Sequence, residues 1–441
     1  MEPDDVSTKQ RRIAELARIH PQVSFTSLAY HIDLGWLQEA FERTRKDGAT
    51  GVDGQSAAGY ANDLGGNLGN LLERAKAGMY FAPPVRRAYI PKGTGAEVRP
   101  IGIPTFEDKV LQRAVAMVLE PLYEAEFLDC SYGFRPGKSA LDALDALWKG
   151  LTAMGGGWVI DLDIRKFFDT LDHSHLREIL KRRVCDGVLL RLIGKWLNAG
   201  VLEGGEVSYP ERGTPQGGVI SPILSNVYLH TVLDKWFFEE VKPRLKGQAF
   251  EIRYADDAVL VFALREDAER VMAVLPKRFE KHGLTIHPEK TRLIWFGKPD
   301  KRDEQTKDPP REEKFNFLGF THHWGRSRKG AWIVKRKTEA ARFTRALRKI
   351  AQWCRQNRHL PLEDQHGMLT AKLKGHYAYY GITGNARSLN NFRHEVQRIW
   401  HRWLSRRSRG QPMTWERFNA LLSRFPLPPT RVVHSCYAAK L

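Results

Sequence analysis

The sequence reads as an α+β chain, on three observations. Apolar residues recur at helical spacing in several stretches, as in Val110, Leu111, Ala114, Val115, Val118 and Leu119. Short extended runs bounded by Gly, Pro and Asp interrupt those stretches in the middle of the chain. The last part is helical again and strongly basic.

Residues 1–80 read as helices and loops, with turns at Val52-Asp53-Gly54 and across the glycine-rich stretch 59–69. Segments 85–91 and 98–104 are extended and joined by Lys92-Gly93-Thr94-Gly95, a hairpin pattern. Residues 106–123 carry the helical spacing above, and Pro121 is expected to end that helix. A strand over 158–164 leads into helical material to about Asn198, a loop over 213–218 and a helix over 222–232. Residues 251–264 are apolar and extended on both sides of Asp256-Asp257, which places the acid pair at a hairpin tip. A helix over 265–281 follows, with Pro276 a point for a kink or an end. Residues 298–314 form a charged surface loop, and 315–320 with 331–334 form a further hairpin. Beyond Lys335 the pattern is helical to about Arg409, then interrupted by proline.

Composition narrows the class. The 441 residues suffice for about three domains, and 42% apolar with 27% charged residues excludes wholesale disorder. Cys130, Cys185, Cys354 and Cys436 lie far apart without a C-x-x-C pair, which argues against a disulfide framework or a zinc ribbon. The acidic start lacks an apolar signal region, and no run of about 18 apolar residues occurs. A cytoplasmic, bacterial-type protein is expected, associated with the nucleoid when acting on DNA.

The net charge of +19 is concentrated: residues 335–409 hold 18 basic against 4 acidic side chains. A localised basic surface of this size points to a polyanion, most commonly nucleic acid. The alternative is a solvated Lys/Arg helix face.

Carboxylates on strand-like segments carry the chemistry. Asp163 ends one apolar run, and Asp256 and Asp257 interrupt another. An anion on a buried strand is costly unless a cation or hydrogen bonds compensate it. Mg²⁺ takes hard oxygen ligands, and two such ions about 4 Å apart stabilise the attacking and leaving oxygens of phosphoryl transfer. Mn²⁺ is a possible substitute. Any single Asp is otherwise read as a cap or turn residue.

These residues also carry a resemblance. Tyr254-Ala255-Asp256-Asp257 resembles the Y-x-D-D box of reverse transcriptases. The run from Asp163 through Phe168 to His173 is similar to the first catalytic block of group II intron-encoded reverse transcriptase/maturase proteins. Gly213-Thr214-Pro215-Gln216-Gly217-Gly218 is similar to their P-Q-G block, Ser131-Tyr132-Gly133-Phe134-Arg135-Pro136 to their S-Y-G-F-R-P segment, and Phe317-Leu318-Gly319-Phe320 to their primer grip. The five blocks occur in the family's order.

The resemblance implies a right-hand polymerase: an N-terminal extension over 1–79, fingers and an antiparallel-sheet palm over 80–334, a helical thumb or maturase domain over 335–410 and a tail over 411–441. It implies that Asp163, Asp256 and Asp257 are catalytic and hold two Mg²⁺ ions with the Ile164 carbonyl. Lys92, Arg99, Phe168, Gln216 and Lys290 would contact the nucleotide, Phe168 as a gate against the 2′-hydroxyl, although its ring also suits core packing. Leu318 and Gly319 would grip the primer. Arg393, Arg398, Arg402 and Arg406 would bind RNA, while Phe392, Trp400 and Trp403 suit either an RNA surface or a bundle core. Expected partners are intron RNA and template, a DNA primer or target, and dNTPs, with no membrane. Many relatives continue into an endonuclease with cysteine-rich metal pairs, a pattern this sequence lacks, so target nicking is not expected. A domesticated role in DNA repair or phage defence, or a non-catalytic RNA-binding splicing factor, is the alternative reading.

Overall fold

A computed structural model describes residues 5–91, 98–209, 213, 217–299, 313–407 and 412–435. The chain divides into two compact units, 1–143 with 158–293, and 144–157 with 294–441. Among the described residues no helix is long and apolar enough to cross a membrane.

The first unit opens with α1 (Val6–Ile19), α2 (Leu34–Arg43), α3 (Ala57–Ala61) and α4 (Leu64–Lys76). The glycine-rich stretch is therefore helical rather than a run of turns. Leu68, Leu71 and Ala75 recur at helical spacing and are buried, and Asp63 caps the Gly66 N–H. Burial of that stripe outweighs a cost of about 1 kcal/mol per helical glycine.

After β1 (Val85–Pro91) and β2 (Val98–Ile103), α5 (Phe106–Glu124) forms the axis of the unit's core. Thr105 caps it by accepting from the Asp108 N–H. Pro121 does not end it. A proline lacks the N–H that would reach Met117 O four residues back, and the Gln10 side chain of α1 donates to that carbonyl instead, at 2.9 Å. From α2, Trp36 Nε1 likewise donates to Ala114 O.

The chain continues through α6 (Ala140–Met154), β3 (Gly156–Leu162), α7 (Phe167–Thr170), α8 (His173–Lys181), α9 (Gly187–Leu197), β4 (Val201–Glu203), β5 (Glu206–Ser208) and α10 (Ser221–Leu229). The helix expected to stop near residue 232 runs on as a π-helical segment, His230–Val241. Then come β6 (Ala249–Tyr254), β7 (Asp257–Phe262), α11 (Arg265–Glu280), which keeps Pro276 inside it, and β8 (Arg292–Gly297).

Two sheets shape this unit. One runs β2-β1-β4-β5, antiparallel except where β1 meets β4. In the other, β7 lies between β6 and β3, antiparallel to both, with Tyr254 facing Asp257 across the hairpin. β7 is an apolar run buried from Ala258 to Phe262, as a central strand must be.

The second unit holds β9 (Phe315–Phe317), β10 (Phe320–Arg326), β11 (Trp332–Thr338), α12 (Ala340–Gln356), α13 (Leu362–Tyr380), α14 (Ala386–Ser405) and α15 (Trp415–Arg424). Its sheet has three strands in the order β11-β10-β9 rather than one hairpin, because Leu318-Gly319 turns β9 straight into β10. Leu369, Leu373, Phe392, Val396 and Trp400 centre the helical core. Most of the expected surface loop 298–314 falls outside the described residues.

Candidate active site

β3 ends at Leu162, paired with Ala258 of β7. Asp163 is the next residue, one step past the last pair of that ladder. Asp163 leaves the sheet there: its N–H donates to Thr291 Oγ1 (3.2 Å) and its carbonyl accepts from His287 N (2.8 Å). The same segment brings Lys290 Nζ to 3.9 Å from Asp163 Oδ2. Ala255 and Asp256 form the two-residue tip between β6 and β7, Ala255 at φ 57°.

Arg99, Asp163, Phe168, Asp256, Asp257 and Lys290 line one open cavity of about 360 Å³. Burial pushes the Asp256 carboxyl above its ordinary range; its own backbone N–H and Arg99 pull it down, and Asp163 pushes further. Three carboxylates lining one cavity concentrate negative charge that a divalent cation would relieve. The donor set is all oxygen, which suits Mg²⁺ or Mn²⁺. Residues and ion fit.

Phe168 is half-buried with its ring edge-on to Phe167, so it both packs and faces the cavity. Gly217, at φ 116°, lies on β2: a Cβ there would come within 2.6 Å of Gly102 O. Only glycine lets the backbone at position 217 come so close to the strand that carries Arg99. Lys92 and Gln216 lie outside the described residues.

A buried clamp behind the acid pair is the part that sequence reasoning missed. Arg253, fully buried, donates from Nε and Nη2 to the two Asp234 oxygens, both at 2.6 Å. Its remaining donors reach Ser131 Oγ (2.8 Å), Asn226 Oδ1 (3.0 Å) and Ala255 O (2.9 Å), the last on the hairpin tip itself. Cys130, Asp234 and Glu251 hold ligand-type atoms within 4.8 Å of one another. Burial and the Asp234 charge push the Glu251 carboxyl well above its ordinary range, and Arg253 pairs with the Asp234 carboxylate. Gly133 packs on the tip from the other side, where a Cβ would lie 2.3 Å from Ala255 N. The signal available beforehand was a glutamate and an arginine, Glu251 and Arg253, on a short, largely apolar strand leading into the Tyr254-Ala255-Asp256-Asp257 box.

The sequence pattern of the family described as reverse transcriptase (RNA-dependent DNA polymerase) matches residues 90–322, more than half of the chain. The chain belongs to that family. As a reverse transcriptase it is an RNA-directed DNA polymerase. It is 33% identical over 384 residues to protein YkfC of Escherichia coli, a match covering 78% of this chain and 97% of that protein. It is 39% identical over 189 residues to the group II intron-encoded protein LtrA of Lactococcus lactis, across 43% of this chain and 31% of that protein. With nuclear intron maturase 4 of Arabidopsis thaliana it shares 29% identity over 161 residues, 36% of this chain and 20% of that protein. The match thus spans a third or less of these two intron-related proteins.

In the second unit of this reverse transcriptase, Leu318 (φ 48°) and Gly319 (φ 77°) form a two-residue left-handed turn. Tyr379 Oη donates to Leu318 O at 2.8 Å and Glu339 N donates to Gly319 O at 3.0 Å, so the turn is fixed. On α14 the rings divide: Phe392 and Trp400 are core, Trp403 is half-buried. Arg398, Arg402 and Arg406 stand exposed at intervals of four, with Glu395 2.9 Å from Arg398. Arg393 differs, donating to the Pro428 and Leu427 carbonyls at 3.1 and 3.2 Å.

Proposed function

We propose that this reverse transcriptase extends a primer by two-metal-ion nucleotidyl transfer and that it also binds and helps fold an intron RNA, as a maturase. Asp163, Asp256 and Asp257, with the Ile164 carbonyl, would hold the ions. Bound there, two Mg²⁺ ions supply charge to activate the 3′-hydroxyl and to stabilise the departing pyrophosphate. Arg99 presents a planar fork to the triphosphate, and Lys92 is a second contact to it. Lys290 offers a compact cation next to Asp163. Phe168 closes the sugar pocket against a 2′-hydroxyl, Gln216 contacts the incoming nucleotide, and Leu318 with Gly319 grips the primer.

In this reading residues 1–79 are an N-terminal extension, 80–334 the fingers and palm of a right hand, 335–410 the thumb or maturase domain and 411–441 a tail. Arg398, Arg402 and Arg406 supply the RNA-binding surface, while Arg393, first expected to join them, is engaged by the 427–428 carbonyls. The observation that supports the reading is that Asp163, Asp256 and Asp257, distant in sequence, line one cavity together with Arg99 and Lys290.

Asp256→Ala tests it. The variant is expected to bind RNA like the parent protein while Mg²⁺-dependent dNTP incorporation on an RNA template falls to background. Synthesis at an undiminished rate would refute the metal assignment.

A further inference from the structure

Among the described residues four non-glycine positions take a positive φ: Phe134, Lys166, Ala255 and Leu318. All four lie in the blocks that carry the family resemblance. Lys166 and Ala255 border the aspartates, and Leu318 belongs to a tight turn. Phe134, at φ 56°, has no such account. A left-handed residue with a side chain costs roughly 1–2 kcal/mol and persists only where its surroundings impose it.

The surroundings do impose it. Tyr132 N donates to Arg253 O at 2.8 Å, and Gly133 O accepts from Asn226 Nδ2 at 2.7 Å while Gly133 lies on Ala255. On the other flank Arg135 is buried, bound to Glu124 and to the Leu128 and Ser131 carbonyls. Held on both sides, the backbone turns the Phe134 ring outward. The ring is 58% exposed and 6.4 Å from that of Tyr254, the first residue of the acid box. A phenyl ring held mostly in water by a strained, immobilised backbone contributes little to folding. Its placement makes sense for a ligand with flat or apolar faces that reaches the acid pair.

We propose that Phe134, with Tyr254, forms an aromatic contact for the terminal nucleotides of the primer strand. The ring supplies stacking or sugar contact that tolerates any base. It rests on the polymerase reading above, since the primer end must lie at Asp256 and Asp257 for the rings to meet it.

The test combines three Phe134 variants and an Asp256→Ala background with kinetics, melting and duplex affinity. Phe134→Ala is expected to raise KM for a primer–template duplex about tenfold, the size of one lost stack, with kcat and KM for dNTP unchanged. Phe134→Trp is expected to keep the parent KM. Phe134→Gly is expected to lose duplex affinity as Phe134→Ala does yet to melt no lower than the parent, because relief of left-handed strain offsets the added chain entropy. A ring that merely packs predicts the opposite, a lower Tm for Phe134→Gly, and that result overturns the proposal, as does an unchanged duplex KM for Phe134→Ala. Duplex affinity measured without metal in an Asp256→Ala background separates the two ideas. Synthesis surviving Asp256→Ala defeats the polymerase reading, whereas duplex affinity there indifferent to Phe134→Ala defeats this inference alone.

Discussion

Arg253 sets how firmly the acid pair is held. Its guanidinium spends two donors on Asp234 and one on Ala255 O, so hairpin tip and buried anion share a single rigid fork. Removing the side chain would leave Asp234 buried without its partner, a loss of about 3–5 kcal/mol that confounds activity with folding. Arg253→Lys is the sharper experiment, because the charge stays and the planar fork goes. A shift of about 1 Å in a reacting group costs on the order of a hundredfold in rate. The expected result is a kcat lowered about ten- to a hundredfold at saturating Mg²⁺, with KM for primer–template close to the parent value. An unaltered kcat would show that the tip is held by the hairpin alone. The aspartates were legible in the sequence because acids inside an apolar strand demand an explanation. The clamp was not: Arg253 meets Asp234, Asn226 and Ser131 across 19, 27 and 122 residues of chain, contacts that only the fold creates.

At the scale of elements, local pattern identified what local physics decides. The hairpins around Asp256 and between β1 and β2 carry alternation and turn residues, and both formed with the expected strands. Two misreadings share a cause. Residues 59–69 were weighed by glycine count and Pro121 by its missing N–H, yet each is overruled by a partner remote in sequence or by burial of a leucine stripe. The Pro121 case can be measured. Gln10→Ala leaves Met117 O without its donor and is expected to destabilise the protein by about 1 kcal/mol. In a Pro121→Ala background the helix regains its own N–H, so the same Gln10→Ala change is expected to cost little. Chemical denaturation of the four proteins gives the coupling directly. Equal costs in both backgrounds would mean that water, not Gln10, satisfies that carbonyl.

At the scale of the whole molecule, charge is sorted by position. Most of the surplus lies in residues 335–409, and on α14 it is sorted again by helical phase. Leu389, Phe392, Val396, Ile399, Trp400 and Leu404 face inward, while Arg398, Arg402 and, just past the last turn, Arg406 are exposed. Arg393 sits at the boundary and holds the 427–428 carbonyls, a structural task that residue type and spacing alone do not reveal. The arginines should therefore separate by experiment. Replacing Arg398, Arg402 and Arg406 together by Gln removes up to three phosphate contacts and leaves the core untouched. The slope of log affinity against log salt for a structured RNA is expected to flatten by about 2–3 units, with Tm unchanged, since each phosphate neutralised contributes about 0.7–0.9. Arg393→Gln is expected to behave in the reverse way, lowering Tm by loosening the C-terminal segment while leaving the salt slope near the parent value. If instead the triple variant kept the full slope, the RNA surface would lie off this helix, and the basic face of α14 would be a solvation device.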